Sequence, residues 1–134
     1  MLIRTRVSAL PAVIASLIVV SACSSPAQQL REVQKNIRGL TATTQAVADA
    51  WLTGDVSATY SRTAFQQTLR LLDTQRASLN SSPRLLADPR GAALSRDAEQ
   101  LSRALAALIQ DARNGDTASA RGHLPQTPSR GGAP

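Results

Sequence analysis

The chain is 134 residues long, with 15 Lys plus Arg against 9 Asp plus Glu, a single Cys, and one each of Trp, Tyr, Phe, His and Met. That length holds one domain, and three aromatic side chains exclude a core built on rings. The formal charge of +6 points toward nucleic acid, yet fourteen of the fifteen cations are Arg placed almost singly, so charge alone identifies no partner.

The first 23 residues, MLIRTRVSALPAVIASLIVVSAC, run from a short cationic start (Arg4, Arg6) through an uncharged, largely apolar stretch, Val7 to Val20, into small residues. This is the order of an export signal. The stretch is fourteen residues long and interrupted by Pro11 and two serines, whereas crossing the hydrocarbon core takes about 20 apolar residues, so it does not read as a permanent span. The junction Val20-Ser21-Ala22-Cys23 resembles the lipobox of bacterial lipoproteins. That resemblance implies a cleaved signal peptide over residues 1–22 and a lipidated N-terminus over 23–26. Cys23 then carries diacylglycerol and an amide-linked acyl chain such as palmitate, which ties the protein to membrane lipid. In this family an Asp after the cysteine commonly retains the protein at the inner membrane. Ser24 stands there instead, which favours the periplasmic face of the outer membrane in a Gram-negative cell.

Acylation has two consequences for the rest of the chain. Each buried CH₂ contributes about 0.8 kcal/mol, so three chains form an effectively permanent anchor. The only thiol is consumed, which leaves no disulfide and no cysteine nucleophile. Loss of Arg4 and Arg6 leaves 13 cations against 9 acids, a net +4.

From Ala27 to Leu124 the sequence has almost no strand signal: Val and Ile are sparse and nothing alternates strictly, while Ala, Gln, Arg and Leu favour helix. The first helix is predicted to begin with Ser25 as N-cap, Pro26 at the first helical position and Gln28 closing a capping box. Leu30, Val33, Ile37, Leu40, Thr44, Val47 and Trp51 then recur at steps of three and four to about Leu52. At 1.5 Å per residue this helix is about 40 Å long, which predicts an elongated bundle. Gly39 inside it predicts a close helix approach or a small bend.

Thr53-Gly54-Asp55 stops that helix, with Asp55 predicted to cap the next. A second helix over residues 56–79 carries Phe65, Leu69, Leu72 and Leu79, with Leu71 and Tyr60 widening its apolar face. Residues 81–87 read as a loop whose Leu85 and Leu86 tuck against the bundle end. Asp88-Pro89 starts a third helix with the stripe Leu94, Ala98, Leu101, Leu105, Leu108 and Ala112. Asn114-Gly115-Asp116 stops it, and only Thr117 to about Gly122 can be helical before Pro125. Residues 125–134, rich in Pro and Gly with no large apolar side chain, read as a disordered tail. The predicted fold is therefore all-α: an elongated antiparallel bundle of three long helices over residues 27–124, with a short or absent fourth. The side left open predicts a binding groove around Trp51, Phe65, Leu72 and Leu101.

Few residues offer chemistry. His123 has no Cys, Asp or Glu at metal-ligand spacing, and a structural zinc site needs four ligands, so no metal and no cofactor is expected. Asp55 and Asp116 read as caps, Asp49 and Asp111 fall near helix ends, and Asp97 with Glu99 cannot share a helix face. No hydrolase, zinc-protease, phosphate-loop or dinucleotide motif occurs, so an enzyme is not expected. The mid-chain arginines are interrupted by acids, which argues against nucleic acid; Arg62, Arg70, Arg76 and Arg84 are the candidate contacts to anionic envelope material. These features predict a noncatalytic, lipid-anchored adaptor or scaffold of the cell envelope with a protein partner. A small-ligand or lipid-binding module on the periplasmic membrane face is the alternative.

Overall fold

The computed structural model describes residues 25–125. The expected signal peptide over residues 1–22, Cys23, Ser24 and residues 126–134 lie outside the described residues. The described chain is an all-α bundle of three long helices, α1 (Pro26–Leu52), α2 (Ala58–Asn80) and α4 (Pro89–Asn114), with two short ones, α3 (Pro83–Ala87) and α5 (Thr117–His123).

Local chemistry sets the helix starts. The Ser25 hydroxyl accepts from the Gln28 N–H at 3.3 Å while the Gln28 side chain accepts from the Ser25 N–H, which completes the expected capping box. Asp88 accepts from the Arg90 N–H at 2.9 Å and Asp116 from the Ser119 N–H at 2.9 Å, so both cap the helices that follow. Asp55 does not cap α2. Ser57, directly before that helix, accepts from the Tyr60 N–H at 3.1 Å, and Asp55 instead takes the Thr53 hydroxyl at 3.0 Å. Gly54 (φ 83°) and Gly115 (φ 66°) turn the chain at the ends of α1 and α4 in the left-handed region that side chains disfavour.

The core is one cluster fed by every helix. All six expected positions of α4, Leu94 to Ala112, are buried. On α1, Leu30, Val33, Ile37, Thr44 and Trp51 are buried as expected, Ala48 joins them, and Leu40 and Val47 pack at the edge. The face of α2 differs from the expected one. Its buried line is Ser61, Phe65, Thr68, Leu72 and Leu79, whereas Leu71 and Tyr60 are both 58% exposed. At 100° per residue, Leu71 and Tyr60 point about 120° or more away from Phe65. Ser61 and Thr68 enter the core because each hydroxyl donates to the carbonyl four residues earlier, at 3.0 and 2.9 Å. Thr44 does the same on α1, and among the described residues no buried side-chain N or O lacks a partner.

Residues 83–87 form a turn of helix rather than a loop, and Leu85 is buried with Leu86 half-buried, as expected of a segment closing the bundle end. Leu85 packs beside Gly91, where a Cβ would fall 1.7 Å from the Leu85 carbonyl oxygen. Gly39 is different: it is exposed with nothing within 4 Å, so no close helix approach requires it, and nothing in the structure explains it. At the opposite end α5 folds back on α4 and reaches α1. Ala120 is buried, Leu124 packs on the core, and the Pro125 carbonyl accepts from Gln45 Nε2 at 3.0 Å. Pro125 thus belongs with the bundle rather than with the tail.

Candidate functional site

Helix α1 presents three kinds of face. Taken at 100° per residue, Leu30, Val33, Ile37 and Thr44 mark one arc, and Gln28, Glu32 and Asn36 mark a second about 120° away. Arg31, Lys35 and Arg38 occupy an arc of about 60° centred about 90° from the second, across the solvent-facing side of the helix. The first arc is the core. The second lines a cleft.

The cleft lies between α1 and α2 at the end of the bundle where α1 begins and α3 closes the core, with an open volume of about 910 Å³. Gln28, Gln29, Arg31, Glu32 and Asn36 of α1 face Gln75 and Ser78 of α2, with Ser81, Ser82 and Leu85 at the turn. Asn36 Nδ2 donates to Gln75 Oε1 at 3.2 Å across the two helices. Amides and hydroxyls each donate and accept, and Val33 and Leu85 add aliphatic surface. Such a lining matches a ligand that alternates donors and acceptors beside small alkyl groups. No aromatic ring lines it. Sequence reasoning missed this cleft because its polar residues read as an ordinary solvated face.

The expected groove is not there. Trp51, Phe65, Leu72 and Leu101 are 6, 0, 0 and 3% exposed, so these four residues are core and offer no surface to a ligand. Large apolar groups on three converging stripes bury one another first.

The expected anionic-contact residues do not form a patch. Arg62 is half-buried and Arg70 exposed, and they project about 80° apart on α2. Arg76 lies 3.7 Å from Asp73 and donates to the Ser102 hydroxyl of α4 at 3.5 Å. Arg84 is exposed on α3, at the far end of α2 from Arg62. The unneutralised line of charge is on α1 instead. Arg31, Lys35 and Arg38 are exposed, and none forms an ion pair or hydrogen bond among the described residues. Their i, i+4, i+7 spacing was legible in the sequence, but interleaved Glu32 disguised it.

The acids are engaged elsewhere. Asp88 accepts from the Arg90 guanidinium at 3.2 and 3.3 Å and from its backbone N–H, which holds the carboxyl below its ordinary value and raises that of Arg90. Glu99 pairs with Arg103 one turn on. Asp111, nearly buried, takes His123 Nδ1 at 2.6 Å, which fastens α5 to α4 and gives the lone histidine a structural contact. Among the described residues no cluster of three or more His, Cys, Asp or Glu could hold a metal ion, and no helix is long and apolar enough to cross a membrane. No family model matches the chain, and no curated protein or solved structure matches it either.

Proposed function

We propose that this chain is a noncatalytic, lipid-anchored adaptor of the bacterial cell envelope, held to the membrane by acylated Cys23 and gripping a protein partner through the polar cleft between α1 and α2. The observation that carries the anchor is the succession of cationic start, apolar run and Val20-Ser21-Ala22-Cys23. Ser24, where an Asp would favour the inner membrane, supports the periplasmic face of the outer membrane in a Gram-negative host. The adaptor reading draws support from what the chemical groups already do: Asp88 and Asp116 cap helices, Glu99 pairs with Arg103, and Asp111 with His123 joins α4 to α5. The cleft's amides and hydroxyls suit the alternating N–H and C=O groups of a polypeptide, and Val33 and Leu85 suit its side chains.

Two experiments test this reading. Cys23→Ser is expected to abolish metabolic labelling by palmitate and to move the protein out of the membrane fraction; unchanged labelling refutes the anchor. Crosslinking in envelopes followed by mass spectrometry is expected to recover one protein partner through residues 28–36 and 75–82. Copurified lipid with no such partner refutes the adaptor in favour of a lipid-binding module.

A further inference from the structure

We infer that the Arg31, Lys35 and Arg38 stripe of α1 is a contact surface for anionic phospholipid headgroups, so that the bundle lies tilted on its membrane with the lower half of α1 against it. The orientation rests on the anchor reading of Cys23; the charge attraction does not.

Three observations carry the inference. First, the stripe is uncompensated. Elsewhere three acids stand beside cations, in Asp73–Arg76, Asp88–Arg90 and Glu99–Arg103. Here Arg31 and Lys35 are like charges one turn apart, an arrangement that destabilises a helix. Glu32, three residues before Lys35, lines the cleft together with Arg31 and forms no ion pair among the described residues. Across the α1–α4 seam the facing charges are Arg90, already paired with Asp88, and Asp97.

Second, the position fits. α1 begins three residues after Cys23, and Arg31 and Arg38 lie about 9 and 20 Å along the axis from Ser25. Screening at physiological salt confines attraction to about 8 Å. An upright bundle would therefore engage Arg31 alone, whereas a tilted one engages all three. Asp49, on the same line about 27 Å above Arg31, would meet an anionic surface only if the bundle lay flat, and disfavours that orientation.

Third, the stripe suits a headgroup layer better than a folded partner. Exposed Ala42 continues it and exposed Gly39 flanks it, so no bulky side chain holds the helix off and no aromatic or Leu anchor is offered to a protein pocket. Three charges within about 10 Å of helix are also few for nucleic acid, where neutralising several phosphates sets affinity.

The test uses residues 24–134, which lack Cys23 and its lipid yet contain the entire packed core, Leu30 to Leu124. Cosedimentation is measured with vesicles of phosphatidylcholine alone and of phosphatidylcholine with 30% phosphatidylglycerol. Binding to the anionic vesicles only is expected, with loss in 0.5 M salt. Each cation near the surface strengthens binding about fivefold, so R31Q/K35Q/R38Q should weaken it about a hundredfold. The variant R62Q/R70Q/R113Q, with the same net charge, should bind within about twofold of the parent. Circular dichroism verifies that both variants stay helical. Equal weakening by the two variants overturns the inference, because overall charge would then explain binding. So does tighter binding to polyglutamate or single-stranded DNA than to the anionic vesicles. Failure of palmitate labelling at Cys23 would remove the anchor but leave this vesicle result standing.

Discussion

Substitution Gly91→Ala probes the closest approach in the bundle. The new Cβ would lie 1.7 Å from the Leu85 carbonyl oxygen and 2.6 Å from its carbon, against an ordinary contact of 3.4 Å or more. The obstructing atoms are backbone, so no rotamer relieves the overlap and α3 must retreat. The limiting response is detachment of α3, which exposes Leu85, now 3% exposed. Full burial of a leucine contributes about 1.5–3 kcal/mol, and half-buried Leu86 adds to the loss. Alanine returns about 1 kcal/mol of helix propensity. The expected net destabilisation is about 2 kcal/mol, a fall in Tm of about 10–15 °C for a domain of this size. Gly39→Ala is the matched control, since its Cβ meets nothing within 4 Å. It should raise stability by up to about 1 kcal/mol, or roughly 5 °C. Urea and thermal unfolding followed at 222 nm measure both. A Gly91→Ala Tm equal to or above the parent's would refute the packing of α3 against the start of α4.

Two further outcomes follow from the polar contacts. The Asp88 carboxyl, lowered chiefly by its hydrogen bond from the Arg90 side chain, should titrate below 3.8 by NMR and move back up in Arg90→Gln. An unfolded Asp titrates near its ordinary 3.8 and binds protons first as pH falls, so the contact's contribution is complete above 3.8 and is lost as pH drops through the folded value. Asp111→Ala should release His123 and with it α5: amide exchange over Thr117–His123 should approach unprotected rates while the middle of α4 stays slow. Unchanged exchange over those seven residues would show that Ala120 and Leu124 hold α5 unaided.

The parts of the fold legible in the sequence were those governed by neighbours along the chain. Ser25-Pro26 and Asp88-Pro89 carry cap and first-turn chemistry in adjacent residues, and the α1 and α4 stripes recur every three or four residues without a charged side chain. The face of α2 was misread because Ser61 and Thr68 were left out of its stripe, although donation to the preceding turn lets both enter the core as it does Thr44 of α1. With those two positions discounted, Leu71 and Tyr60 seemed to complete a stripe they do not belong to. At five residues α3 is too short to show a period. The site was less legible than the fold. Periodicity marks which face is apolar but not where two helices leave a cleft between them, as α1 and α2 do.

The arrangement of α1 ties the two proposals to one element. Its core arc fixes the rotation of the helix, so the cleft arc and the basic arc are set about 90° apart on the same few turns. Neither can be displaced without unpacking Leu30, Val33 and Ile37. Under the proposed anchor, a peptide held in the cleft would therefore sit beside the lipid surface rather than above it, in the zone where acyl chains on Cys23 would confine the bundle. Confinement of both parties to that layer raises their effective concentration, so a cleft of low intrinsic affinity can hold a membrane-bound partner that it would not capture in solution. Because α1 begins three residues after Cys23, the proposed anchor would leave no long tether; a flexible linker would let the bundle turn and would uncouple the cleft from the surface.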